Sequence, residues 1–127
     1  GNLEAMAQII AETDSNFTLY SGDDSLTLPV LAIGGVGVVS VASHIIGQEL
    51  QEMISLFKKG EVDKAASLHR HLLPLMKTLF IAPNPVPVKE ALVLQGHRVG
   101  SVRLPLTPLT DEQRNQLRRV MQATLKQ

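Results

Sequence analysis

Apolar residues recur along this chain with helical spacing, except in one stretch that shows no alternation at all. Leu3, Met6, Ala7 and Ile10 fall on one helical face. Asn2 stands where its side chain can cap that helix by accepting from backbone N–H groups two or three residues on, and Asp14-Ser15-Asn16 ends it. Phe17-Thr18-Leu19-Tyr20 reads as a short strand, and Ser21-Gly22-Asp23-Asp24 as the turn at its C-terminal end. The next helix contains Pro29, which forfeits a backbone bond and makes that helix short or bent. Gly34-Gly35 then turns the chain into Val36-Gly37-Val38-Val39-Ser40-Val41, the exceptional stretch. A β-branched strand that is apolar on both faces suits a parallel sheet covered on both sides. The first half therefore reads α-β-α-β, an α/β pattern with helical crossovers.

The second half reads as helices. Leu50, Met53, Ile54 and Phe57 form an i, i+3, i+4, i+7 stripe that stops at Gly60. A longer helix follows, with Val62, Ala65, Ala66, Leu72, Leu73, Met76 and Phe80 on its apolar side and a kink expected at Pro74. The connector Ala82-Pro83-Asn84-Pro85-Val86-Pro87 leads into a helix that begins near Pro87 and stops at Gly96. Residues 97–108 are extended, with Pro105 and Pro108. Thr110-Asp111-Glu112-Gln113 is a capping box, and Leu117, Val120 and Met121 give the last helix its face.

Composition narrows the function classes. The 127 residues suffice for one domain. Twelve basic and twelve acidic side chains cancel, so electrostatics makes no case for nucleic acid or an anionic membrane. Disulfides and thiolate metal sites are excluded, because there is no cysteine. No run of about 18 apolar residues marks a membrane span, and Gly1-Asn2-Leu3-Glu4 has neither the basic-then-apolar pattern of a signal peptide nor an initiator methionine. That start fits a piece of something longer. So do the two strands, since a two-stranded parallel unit leaves both edges open and most of its apolar surface uncovered. The strand from Val36 to Val41 wants neighbours, which points to part of a larger sheet or barrel.

Five segments carry a family resemblance. They are Gly1-Asn2-Leu3, Ser21-Gly22-Asp23-Asp24, Gly34 to Val41, Pro83-Asn84-Pro85-Val86-Pro87-Val88-Lys89, and Arg103-Leu104-Pro105-Leu106-Thr107-Pro108-Leu109. In order and spacing they resemble dihydrodipicolinate synthase, over essentially the whole chain but only the C-terminal portion of the family's length. The resemblance implies the last two strands of a (β/α)8 barrel, with 1–46 as barrel and 47–127 as the last barrel helix and a C-terminal helical domain. It implies a cytoplasmic, homotetrameric class I aldolase-type lyase of lysine biosynthesis, without a cofactor. In that chemistry a lysine amine forms an imine with pyruvate, and the enamine attacks aspartate semialdehyde. The family's Schiff-base lysine belongs just upstream of Gly1, and its tyrosine, threonine pair and carboxylate-binding arginine are likewise outside this sequence. No catalytic residue is therefore expected here. The lysines at 58, 59, 64, 77, 89 and 126 sit in helical segments and match no nucleophile. Gly22 matches a glycine lining the pyruvate pocket, and Val39 a position whose backbone contacts bound pyruvate, both at the barrel face where sites of this fold lie.

Other candidates have plainer readings. Gly34-Gly35-Val36-Gly37 follows a helix and precedes a strand, the reverse of a phosphate-binding loop, and reads as turn and packing. Asp23-Asp24 reads as a helix N-terminal cap rather than a metal site. His69 and His71, two apart on a helix, cannot share a metal. His44 follows the second strand at the active-site end and reads as a hydrogen-bonded loop residue ahead of a pocket residue; His97 is expected exposed, and Tyr20 in the core. Leu3 and Ile33 read as core or, by resemblance, as positions near the contact between dimers.

The reading is a synthase fragment, inactive by itself. The alternatives are a non-catalytic assembly module and a fragment of a related aldolase acting on sialic acid or keto-deoxy sugars. Half a barrel exposes several apolar side chains, each contributing about 1.5–3 kcal/mol when fully buried. Several such contributions rival a domain's stability of about 5–15 kcal/mol. Self-association is expected, with the strand edges or the 25–41 surface covered by another copy.

Overall fold

The computed structural model describes residues 1–125. In chain order these form α1 (Leu3–Glu12), β1 (Tyr20–Ser21), a 3-10 turn (Asp24–Leu26), α2 (Thr27–Ala32), β2 (Gly37–Val38), α3 (Ser43–Lys58), α4 (Val62–Thr78), α5 (Val86–Leu94) and α6 (Asp111–Thr124). The chain divides into two compact units. One comprises residues 1–40 and 48–69, the other residues 41–47 and those from 70 onward.

In the first unit Asn2 caps α1, its Oδ1 accepting from the Ala5 N–H at 3.1 Å. Leu3, Met6, Ala7 and Ile10 are half-buried along one face. The helix stops at Thr13, whose hydroxyl donates to the Ile9 carbonyl at 2.7 Å. β1 and β2 are parallel, with Tyr20 opposite Gly37 and Ser21 opposite Val38. The expected strands at 17–20 and 36–41 are thus each cut to two residues. Phe17 is drawn into a turn by its N–H bond to the Asp14 carbonyl at 2.9 Å. At the other end, pairing closes with the Val39 N–H on the Ser21 carbonyl at 2.8 Å. Among the described residues each strand has one neighbour, and no second ladder prolongs either.

α2 is short, as Pro29 requires, and packs against both strands. The turn after it depends on glycine. Gly34 has φ +104°, and a Cβ on Gly35 would stand 2.3 Å from Val30 Cγ1. Leu50 and Met53 of α3 are buried with Ile54 and Phe57 half-buried, and Gly60, at φ +82°, turns the chain after that helix. The helical segment expected from residue 47 begins earlier, at Ser43, and breaks at Ile46, whose φ −124° and ψ 36° are not helical.

The second unit is helical. It buries Leu72, Leu75 and Met76 of α4 and Leu79 just past its end, an i, i+3, i+4, i+7 set. Val62 and Phe80, expected on the apolar side of that helix, are exposed, and Phe80 lies beyond its end at Thr78. The connector into α5 contains a cis bond at Asn84-Pro85, and Leu104-Pro105 is cis as well. Pro87 lies in the first turn of α5, where a missing N–H is harmless, and Gly96 at φ +90° closes the helix. α6 opens on the expected capping box. Thr110 Oγ1 accepts from the Gln113 N–H at 3.2 Å, and Gln113 Oε1 accepts from the Thr110 N–H at 3.0 Å. α5 and α6 pack together around Val88, Ala91, Leu117 and Met121, all buried.

Candidate functional site

At the C-terminal ends of β1 and β2, hydroxyl and carboxylate groups sink below an exposed loop. Ser21 is fully buried; its Oγ donates to the Asp23 carbonyl at 2.7 Å and accepts from the Asp23 N–H at 3.1 Å, closing a tight turn under Gly22. Asp24 is buried too, and Ser40 Oγ, from just beyond β2, donates to its Oδ1. The buried Thr27 hydroxyl donates to the Asp24 carbonyl at 2.7 Å. These bonds meet the requirement that buried polar groups be paired, and they fix the loop's path.

Gly22 and Val39 come together above this floor, since the Val39 N–H donates to the Ser21 carbonyl. Most glycines here have an internal reason: left-handed backbone at 34, 60, 96 and 100, close packing at 35, the Tyr20 ring at 37. Gly22 has none. It is exposed, its φ is not positive, and a Cβ there would meet nothing within 4 Å. Val39 is 73% exposed. With its N–H committed to the ladder, the backbone group it can present to a ligand is its carbonyl. The corner thus offers an exposed loop and the Val39 carbonyl above a buried polar floor.

Two expectations for this corner need correction. Asp23 stands at the N-cap of the 3-10 turn, yet its side chain makes no cap bond there, and the Asp24 carboxylate turns inward to Ser40. Tyr20 is 55% exposed rather than core, because β1 lacks a neighbour on its open side. Its ring lies over Gly37, where a Cβ would stand 3.2 Å from Tyr20 Cε1. Leu3 and Ile33 are half-buried.

Elsewhere, His44 and His97 are exposed and His69 half-buried. His71, which the sequence did not single out for a bond, has Nε2 2.9 Å from the Thr124 carbonyl and so donates to the last turn of α6. Lys58, Lys59, Lys64 and Lys77 are exposed, Lys89 donates to the Ser101 carbonyl, and Lys126 lies outside the described residues. Among the described residues no group of three or more His, Asp or Glu side chains is arranged to hold a metal, and no helix is long and apolar enough to cross a membrane. The perturbed ionisations lie in ion pairs on or beside the helices. Glu90, and then Asp111, beside Arg114 push its guanidinium above its ordinary value. Lys64 holds Glu61 below the usual carboxylate range, and Glu61 raises Lys64 in turn.

The cluster of buried Ser21, Asp24 and Thr27 with half-buried Ser40 is what sequence reasoning missed. Its signal was faint: a Ser-x-Asp turn after a strand, and one serine inside an otherwise apolar strand.

Comparison with known proteins gives this corner a context. Residues 1–124 match the model of the Dihydrodipicolinate synthetase family. The 4-hydroxy-tetrahydrodipicolinate synthase 1 of Halalkalibacterium halodurans is 64% identical over 117 residues, 92% of this chain and 40% of that protein. The crystal structure of dihydrodipicolinate synthase from Bacillus anthracis superposes with TM-score 0.93 at 55% identity, over 96% of this chain and 42% of that one. The dihydrodipicolinate synthase of Cyanidioschyzon merolae, solved with lysine bound, gives TM-score 0.95 at 50% identity, over 98% and 42%. The chain therefore spans about two fifths of the length of the relatives it matches.

Proposed function

The chain belongs to the dihydrodipicolinate synthetase family, and on that footing we propose that it is the C-terminal portion of a synthase condensing pyruvate with aspartate semialdehyde in lysine biosynthesis. Residues 1–46 are the end of a (β/α)8 barrel, and residues 47–127 the last barrel helix and a C-terminal helical domain. Gly22 and Val39 form part of the pyruvate pocket wall. The lysine whose amine forms the imine lies in residues that this sequence does not include, so these 127 residues are inactive by themselves.

The observation that carries this reading is Gly22. It is a glycine with no internal need to be one, held on a buried polar floor at the strand ends, in a chain that matches the family throughout. An approaching keto acid supplies the missing reason, because a side chain at that position would occupy its space. The exposed Phe17, Tyr20, Val36 and Val39 fit the same reading, as the face that further barrel strands cover. Without those strands, another copy of the chain covers them; in the full enzyme the assembly is a tetramer, with Leu3 and Ile33 near a subunit contact, in the cytoplasm. The relatives described above are synthases, which favours this substrate pair over sialic acid or keto-deoxy sugars.

Complementation tests the proposal. The part of the Halalkalibacterium halodurans synthase that has no counterpart here is produced together with this chain, and condensation is assayed. Activity that appears only when both are present supports it. Activity of this chain alone, or a co-purifying pair with none, overturns it.

A further inference from the structure

The segment that joins α5 to α6 is basic and has nothing acidic to balance it. Between Glu90 and Asp111 the sequence holds His97, Arg98 and Arg103 and no carboxylate. This segment folds back along α5 and, with it, lines an open surface pocket of about 450 Å³. Lys89 and Arg103 bring two cations to its lining; Pro85, Val99 and Leu106 give it apolar walls, and Ser101 adds a polar group. A pocket of this size falls within the range of small-ligand sites, about 300–1,000 Å³.

Neither cation is neutralised. The Lys89 ammonium donates to the Ser101 carbonyl at 2.5 Å, a neutral partner. Among the described residues no carboxylate stands within ion-pairing distance of Lys89 or Arg103. The nearest acid in sequence, Glu90, is already engaged by Arg114, whose Nε lies 2.7 Å away. Lys89 is also the fourth residue of α5, close to the end where a helix's own partial charge is positive, so its ammonium gains from any anion beside it.

We propose that this pocket binds a small dianion, carried by a phosphate or a dicarboxylate, between the Lys89 ammonium and the Arg103 guanidinium. The planar guanidinium takes two oxygens of such a group at once, while the ammonium serves as a point charge. Lys89 and Arg103 have no part in the pyruvate site, so the two proposals stand or fall separately.

The test is a titration of this chain with sodium phosphate and, separately, with sodium succinate, each against sodium chloride of equal ionic strength. Backbone amide shifts are the readout. The inference expects saturable shifts centred on Lys89, Ser101 and Arg103 with at least one of the two dianions and none with chloride. It also expects affinity to fall roughly tenfold or more in Arg103→Gln and in Lys89→Gln, with amide spectra of the anion-free variants otherwise unchanged. Response to phosphate alone assigns a phosphate-bearing ligand, and response to succinate alone a dicarboxylate. No saturation with either dianion, or equal binding in both variants, overturns the site. Should a variant fail to fold, the location of the shifts in the unaltered chain decides: shifts elsewhere also overturn it.

Discussion

The strand ends of the first unit and the helices of the second meet solvent in opposite ways. At the strands, Phe17 is 52% exposed, Tyr20 55% and Val39 73%. In the helical unit Leu72, Leu75, Leu79, Ala91 and Leu117 are fully buried. The difference follows from how each element satisfies its backbone. A helix makes its hydrogen bonds within itself and needs only one apolar stripe covered. A strand needs neighbours on both edges and cover on both faces, and here it has one neighbour. The two-stranded sheet is therefore the more exposed of the two.

Substitutions can break this comparison. The largest expected effect is in the helical unit: Leu117→Ala removes a fully buried side chain and costs about 2–5 kcal/mol, whereas Val39→Ala stays within about 0.5 kcal/mol. Urea denaturation of both variants is the check. Equal losses would mean that the strand ends are as tightly packed as the helices. Next come the glycines. Gly35→Ala forces a Cβ against Val30 Cγ1 and the Val30 carbonyl, a clash of the kind that costs about 1–3 kcal/mol. Gly22→Ala meets nothing and changes stability by no more than about 0.5 kcal/mol, yet in the complemented enzyme it weakens pyruvate binding. Thermal melts together with pyruvate saturation curves separate these outcomes.

A smaller loss, about 1 kcal/mol, is expected for Thr110→Ala, which removes half of the capping box of α6; helix content followed through a denaturant titration reports it. The smallest effect is electrostatic and exposed. Glu61 is held below its ordinary range by Lys64, so this pair's contribution is present above the unfolded carboxylate pKa and is lost as pH falls through the lowered one. Lys64, raised by Glu61, keeps its share until pH rises through its elevated value. Glu61→Gln should lower stability slightly at neutral pH and converge with the unaltered chain at low pH, which flattens the acid limb. A variant curve that matches the unaltered chain at every pH removes the pair from the account.

What the sequence made legible was local. The Asn2 cap, the Gly34-Gly35 turn, the short α2, Gly60, Gly96 and the capping box each depend on a few adjacent residues, and each is where its chemistry required. Failures came where the outcome depends on what lies across space. Tyr20 reads as core only if a strand flanks it. Asp24 reads as a cap until Ser40, sixteen residues away, takes its carboxylate. The helical stripe points to Phe80, yet past the end of α4 at Thr78 it is Leu79 that is buried. At the candidate site, Gly22 and Val39 were reached through resemblance, and only the structure adds the physical point that Gly22 answers no need of its own chain.

The measurement that bears most directly on the central claim is borohydride trapping with pyruvate, read by intact mass on this chain alone and on this chain together with the complementing part of a relative. No adduct is expected on these residues in either case, and a reduced pyruvate adduct is expected on the complementing part. A pyruvate-dependent adduct on this chain would place the nucleophile among its own lysines and contradict the assignment of Gly22 and Val39 to a wall around a lysine supplied from elsewhere.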